Sequence, residues 1–209
     1  FINQYQDGQF FGLSGSTRSE AARADIGINY EDYKYLVAPP EKALRREDKR
    51  IWLAKDETQQ IRWLKQEIVE KLKRNDPILL ICKDDNQSHR LYEGLIADEE
   101  IASLLKHHQR IHALTSRPDA EQAIARAGNE GCLTVSTVGR CARGKDIFVK
   151  TDHPLLVLAA YVPTFGEEIQ IKGRTARCGK PGAYRMIPNL EDSDCLMQGN
   201  SYDTEYEVQ

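Results

Sequence analysis

Asn75-Asp76-Pro77-Ile78-Leu79-Leu80-Ile81-Cys82 is the stretch that decides the fold class of this 209-residue chain. Asn, Asp and Pro in succession stop a helix, because proline lacks an N–H and disfavours helical backbone in the residue before it. The five apolar residues that follow show no polar alternation, as expected of a strand buried on both faces in a parallel sheet. Upstream, Ile61, Leu64, Ile68 and Leu72 recur at helical spacing between Glu57 and Arg74, with Lys and Glu on the opposite stripe. Downstream the alternation repeats. Helices are predicted from Ser88 to Leu95 and Glu99 to His108, a strand from Ile111 to Leu114, and a helix from Asp119 to Ala127. Strands follow at Leu133 to Ser136 and Leu155 to Ala160, then a helix opening near Gly166 and a last strand near Tyr184 to Ile187. Before the first helix, Tyr33 to Val37 and Arg50 to Leu53 read as strands, and Glu20 to Asp25 as a short helix. Such alternation predicts an α/β domain with a mostly parallel sheet and helices on both faces. Right-handed crossovers would gather its functional loops at the carboxyl ends of the strands.

Composition narrows the function. The chain is 40% apolar and 29% charged with a formal net charge of −3, which allows a sizeable core and argues against a strongly basic nucleic-acid binder. No apolar run approaches the roughly 18 residues that a membrane-spanning helix needs. Phe1-Ile2-Asn3-Gln4-Tyr5 is neither an initiator Met nor a signal peptide, so the chain reads as cut from something longer. Five cysteines, odd in number and never spaced as CxxC, predict neither a disulfide framework nor a zinc site, and they suit a reducing cytosol. His107, His108 and His112 lack an acid or Cys at ligand spacing, and no metal site is expected. From Asn189 onward the chain carries acids but no Lys or Arg, the pattern of a solvated tail.

The residues suited to chemistry lie late. In Gly173-Arg174-Thr175-Ala176-Arg177-Cys178-Gly179, two arginines three apart on a helix would share a face and form a fork for a polyphosphate, with Gln170 just before them. Upstream, the strand ending at Ser136 runs into Thr137-Val138-Gly139-Arg140-Cys141-Ala142-Arg143-Gly144-Lys145-Asp146-Ile147, a Gly- and Arg-rich loop suited to phosphate and ribose contacts. Arg140 through Lys180 would make a local cationic patch. Two look-alikes fail. Gly173 to Lys180 resembles a Walker A run but has five residues between its glycines, and Pro181 stands where Ser or Thr is required. Ile78 to Asp85 resembles Walker B, but Lys83 interrupts the step from strand to carboxylate. Trp52 and Trp63 read as core or interdomain anchors, and Glu167-Glu168 as complements to a helix dipole.

These stretches, in order, resemble the second RecA-like domain of SecA-type protein-translocation ATPases, relatives of the superfamily-2 helicases. Ser14-Gly15-Ser16 is similar to the "TGT" motif III, Ala38-Pro39-Pro40 to "IPTNRP", and Pro77 to Cys82 to the motif IV strand. Leu114 to Gly128 is similar to "LNAK…EAAIVAQAG", Thr134 to Ile147 to motif V ("TIATNMAGRGTDI"), and Gln170 to Gly179 to motif VI ("QLRGRSGRQG"). The resemblance implies a P-loop NTPase-type fold. Residues 1–17 would be the end of the first motor domain or an interdomain linker carrying motif III, 18–190 the second RecA-like domain, and 191–209 an acidic tail. It implies ATP in a cleft between two domains, with Mg2+ and the Walker motifs in the first, so that this chain would not hydrolyse ATP alone. Arg174 and Arg177 would be arginine fingers, Gly144, Asp146, Gln170 and Gly173 would contact nucleotide, and Ser14, Gly15 and Ser16 would couple hydrolysis to domain movement. The implied partners are the N-terminal motor domain in cis, an unfolded polypeptide and a membrane translocation channel. The implied location is cytoplasmic, peripheral to a membrane. A helicase with the same core, or a degenerate pseudo-ATPase serving as a scaffold, are the rival expectations. Departures from the family pattern are one extra residue in motif V, Val138 for a polar residue, Lys145 for Thr, and Ala176 for Gly between the arginines.

Overall fold

The first helix begins where the sequence supplies a cap. Asp56 sits in extended backbone and its carboxylate accepts from the Gln59 N–H at 2.7 Å, opening α1, Glu57–Lys73. At the other end Asn75 takes φ +59°, and the N–H groups of Arg74, Asn75 and Asp76 close on carbonyls of the last turn. The stop predicted at Asn75-Asp76-Pro77 is therefore made by a left-handed cap followed by proline. The structure, a computed structural model, describes residues 41–106, 111–113, 126–141, 147, 149 and 152–191, all within a unit that begins at Pro39. The expected strand at Tyr33 to Val37, the short helix at Glu20 to Asp25 and most of the Asp119 to Ala127 helix lie outside the described residues.

The strands are β1 (Arg45–Asp48), β2 (Ile78–Cys82), β3 (Ile111–Ala113), β4 (Leu133–Thr137), β5 (Leu155–Ala159) and β6 (Pro181–Met186). After α1 the helices are α2 (Asp85–Ile96), α3 (Glu99–Lys106), α4 (Val138–Cys141) and α5 (Phe165–Lys172), followed by a 3-10 turn at Arg177–Gly179. The sheet order is β1-β6-β5-β2-β4-β3, and every pairing is parallel. The fold is the expected α/β arrangement. Two boundaries differ. The strand expected at Arg50 to Leu53 lies instead at Arg45–Asp48, where its charges suit an exposed sheet edge, and β6 starts at Pro181 rather than near Tyr184.

All five residues of β2, of β4 and of β5 are buried. The pleat sorts them. Ile78, Leu80 and Cys82 face one core with Leu64, Ile68, Leu91, Leu95, Ile101 and Leu105 of α1, α2 and α3. Leu79 and Ile81 face the other, with Cys141 of α4, Ile171 of α5 and Ile147. Helices therefore cover both faces. Polar residues also enter the first core. Gln60 of α1 donates to the carbonyls of Ala160 and Ile187, each at 2.7 Å, and accepts from Asn189 at 2.9 Å. Glu67, read as part of the solvated stripe, is instead buried between Lys49 Nζ at 3.0 Å and Arg185 Nη2 at 3.4 Å. The Arg185 guanidinium lies 3.7 Å from the centre of the Trp52 ring, and Trp52 packs on Trp63 at 5.8 Å. Both tryptophans are thus anchors for α1 and the chain leading into it.

Candidate functional site

Strand β5 runs out through Val162 and Pro163 to Thr164, which caps α5. The Thr164 hydroxyl accepts from the Glu167 N–H while the Glu167 carboxylate reaches back to the Thr164 N–H at 2.9 Å. Glu167 is therefore a capping residue. Glu168 pairs with Lys172 one turn on at 2.9 Å. The helix ends at Lys172 with Gly173 as its cap, and the Lys172 carbonyl accepts from Arg46 Nη1 at 3.3 Å.

This ending corrects the helical placement of the arginine pair. Arg174 and Arg177 lie beyond the helix, on a turn whose backbone enters the left-handed region at Ala176 (φ +56°), Cys178 (φ +55°) and Gly179 (φ +76°). Three such residues within four positions cannot continue a helix of L-residues. The expected place of this turn among loops at carboxyl strand ends is also corrected, although motif V does leave the carboxyl end of β4. The turn sits at the amino ends of β5 and β6, because Thr175 Oγ1 donates to the carbonyl of Leu155, the first residue of β5, at 2.5 Å. Lys180 leads straight into Pro181, the first residue of β6.

Arg174 is half-buried and Arg177 exposed. Arg174 folds back along α5, its Nε donating to the Gln170 carbonyl at 3.4 Å. Its charge is felt at the Cys141 thiol in α4. Burial pushes that thiol up to about 11, against the opposing pull of Ser136 and of the Arg174 guanidinium. Just beyond motif V and motif VI the chain meets itself, where Lys180 Nζ donates to the Val149 carbonyl at 2.5 Å. Gln170 is partly buried, and its amide oxygen is enclosed without a hydrogen-bond partner. Gly173 has no room for a side chain to spare, since a Cβ there would lie 3.2 Å from the Ile169 carbonyl.

The broad cationic patch expected from Arg140 to Lys180 is narrower than its sequence. Arg140 forks onto Asp85 through bonds of 3.1 and 2.7 Å, Lys172 is paired with Glu168, and Lys180 is held on a carbonyl. The Walker B look-alike resolves as α2 architecture, with Asp84 capping the helix through the Gln87 N–H at 2.8 Å and Asp85 taking Arg140. Gly144, Asp146, Ser14, Gly15 and Ser16 lie outside the described residues, as do His107 and His108. No group of side chains among the described residues is arranged to hold a metal ion. The residues missed by sequence reading are Thr175 and Gly182. A hydroxyl between two arginines and a glycine directly after Pro181 were the available signals.

The layered parallel sheet with helices on both faces is a RecA-like α/β fold. Solved structures carry the same fold: S. cerevisiae Dbp5 bound to RNA and ADP BeF3 matches with a TM-score of 0.55 at 14% identity, over 91% of this chain and 49% of that one. Mss116p bound to ssRNA and AMP-PNP matches with a TM-score of 0.52 at 20% identity, over 72% of this chain and 29% of that one. In sequence the chain is similar to the protein translocase subunit SecA. It is 29% identical to that of Malacoplasma penetrans over 188 residues, covering 87% of this chain and 13% of the relative. It is 28% identical to the SecA of Desulforapulum autotrophicum over 204 residues, covering 92% and 22% respectively. No family profile matches. The sequence similarity and the fold together support a SecA-type second RecA-like domain. The chain spans 13 to 22% of the length of these first curated relatives.

Proposed function

We propose that this chain supplies the arginine-bearing half of an interdomain ATP site, completed by a first motor domain in the same protein, and that it couples hydrolysis to movement of a polypeptide. The observation that carries the reading is the turn after α5, which holds Arg174 half-buried and Arg177 exposed and whose end is tied by Lys180 to the segment that follows motif V.

The residues suit a triphosphate. Arg177 is exposed on its turn, Arg174 is half-buried, where its charge is less screened than in water, and the Gln170 amide would offer its NH2 to a phosphate oxygen. ATP brings the cleavable phosphoanhydride, and Mg2+ held by the first domain brings charge neutralisation. The part played here is to present fixed positive charge where negative charge grows, which is worth about 10³–10⁵ in rate where arginine fingers have been measured. Gly144 and Asp146 would face the nucleotide, and Ser14, Gly15 and Ser16 would pass the change to the neighbouring domain. Nucleotide would favour the closed arrangement of the two domains. A cytoplasmic location, with docking on a membrane channel, fits this reading. Among the described residues no helix is long and apolar enough to cross a membrane.

In the intact parent protein, Arg177→Ala is expected to lower ATP turnover at least a hundredfold, about 2.7 kcal/mol of transition-state stabilisation, with the fold retained. Turnover equal to the unaltered protein would remove Arg177 from the reaction. Stimulation of turnover by added unfolded polypeptide, and not by RNA, separates the translocase reading from the helicase one.

A further inference from the structure

We infer that Thr175 is the positioning residue of the arginine turn: its hydroxyl, bonded to the Leu155 carbonyl, sets where Arg174 and Arg177 present their guanidinium groups. The inference rests on the role proposed above for those two arginines.

Thr175 lies next to one arginine and two residues from the other, and its own side chain turns into the sheet. It is 3% exposed, whereas Arg177 and Cys178 are exposed. Its hydroxyl donates to the Leu155 carbonyl at 2.5 Å. Leu155 opens β5, which is hydrogen-bonded on both sides, to β6 and to β2, so the acceptor belongs to the interior of the sheet rather than to a loop. Thr175 and Ala176 are the buried residues of the turn, and only Thr175 has a polar side-chain atom.

The rest of the site is shaped around this contact. Gly182, paired with Leu155 in the sheet, lies directly beneath the turn. A Cβ on Gly182 would run into the Thr175 hydroxyl and approach the Ala176 nitrogen to 2.7 Å. The absence of a side chain at Gly182 is therefore what lets Thr175 reach the strand. The turn pays in backbone geometry for this approach, with Ala176 and Cys178 both held at positive φ. Such a backbone persists only where surrounding contacts hold it, and the Thr175 bond is anchored on a strand that is paired on both sides. Rate is sensitive to placement, and a displacement of about 1 Å at a charge-stabilising group can cost on the order of a hundredfold.

The test compares Thr175→Val, which keeps shape and removes the hydroxyl, with Thr175→Ser, which keeps the hydroxyl, by ATP turnover of the intact parent protein. Thr175→Val is expected to lower kcat at least about tenfold, Thr175→Ser to stay within about twofold, and Thr175→Val to add no further loss in an Arg177→Ala background. A structural effect alone would instead lower both variants or add its loss to that of Arg177→Ala, and either result overturns the inference. Normal turnover in Thr175→Val beside an impaired Arg177→Ala also overturns it, leaving the arginine's role intact. Unimpaired Arg177→Ala overturns the underlying reading and this inference with it. Amide exchange in the 209-residue chain gives a readout independent of turnover. Exchange at residues 174–177 should quicken in Thr175→Val while α1 stays protected, and unchanged exchange there counts against the inference. Thr175→Ala serves as the second variant where Val disturbs folding.

Discussion

At the scale of single residues, the arginine turn is the part of the molecule whose local preferences and conformation disagree. Cys178 occupies left-handed backbone that a side chain with a Cβ adopts at a cost of about 1–2 kcal/mol, and it is exposed, so its side chain contributes no burial to offset that cost. Cys178→Gly should therefore stabilise the chain by about 1 kcal/mol, read as a higher urea midpoint at unchanged slope. No gain would mean that the turn relaxes out of that conformation in solution. Ala176 shares the strained backbone but is 7% exposed, and its buried methyl opposes the gain that glycine would bring. This is the position where the family pattern has Gly. The substitution is therefore one that the backbone accommodates under strain, with its methyl buried in the turn.

At the scale of elements, α1 does more than cover the sheet. Gln60 ties it to the carboxyl ends of β5 and β6 by satisfying the Ala160 and Ile187 carbonyls. Gln60→Leu would leave both carbonyls and the Asn189 amide without that partner in a dry setting, and a loss of about 2–4 kcal/mol is expected by chemical denaturation. A loss below 1 kcal/mol would show that water replaces the amide. The contrast with Ile78–Cys82 explains what was legible in the sequence. A wholly apolar run has one outcome, and that strand is found where it was expected. Glu67 read as solvated because its burial depends on Lys49 and Arg185, and Gln60 gave no signal because its partners lie a hundred or more residues away. The identity of motif VI was readable from its arginines. Its geometry was not, because three consecutive-looking helical positions conceal the exit from α5 at Gly173. The hydroxyl of Thr175 drew no notice for the same reason: its acceptor is a backbone carbonyl, which has no sequence signal.

At the scale of the whole molecule, the buried ionisable groups give a stability profile with a definite alkaline edge. Burial raises the Cys141 thiol to about 11 and pushes Cys82, Tyr161 and Tyr184 up as well, with the Glu168 carboxylate adding to the effect at Tyr184. An unfolded chain would release the thiol protons from about pH 9 and the phenol protons from about pH 10, while the native state keeps them. Proton release on unfolding means that stability falls as pH rises, by about 1.4 kcal/mol per unit for each group in its window. Below pH 9 these groups should leave stability unchanged. Unfolding free energies measured between pH 8 and 11 check this, and a flat profile would show that the four groups are less enclosed than described. One further consequence follows from the pairing of the first described strand with the last. Arg45 aligns with Pro181, and Ala54 bridges to Asn189, so the edge of the sheet is completed by segments far apart in the order of synthesis. A ribosome working at 5–20 residues per second would hold β1 waiting for roughly 10 s before its neighbour emerged. Through that interval Trp52 would lack Arg185, and the nascent domain would depend on keeping an unpaired ribbon away from other chains.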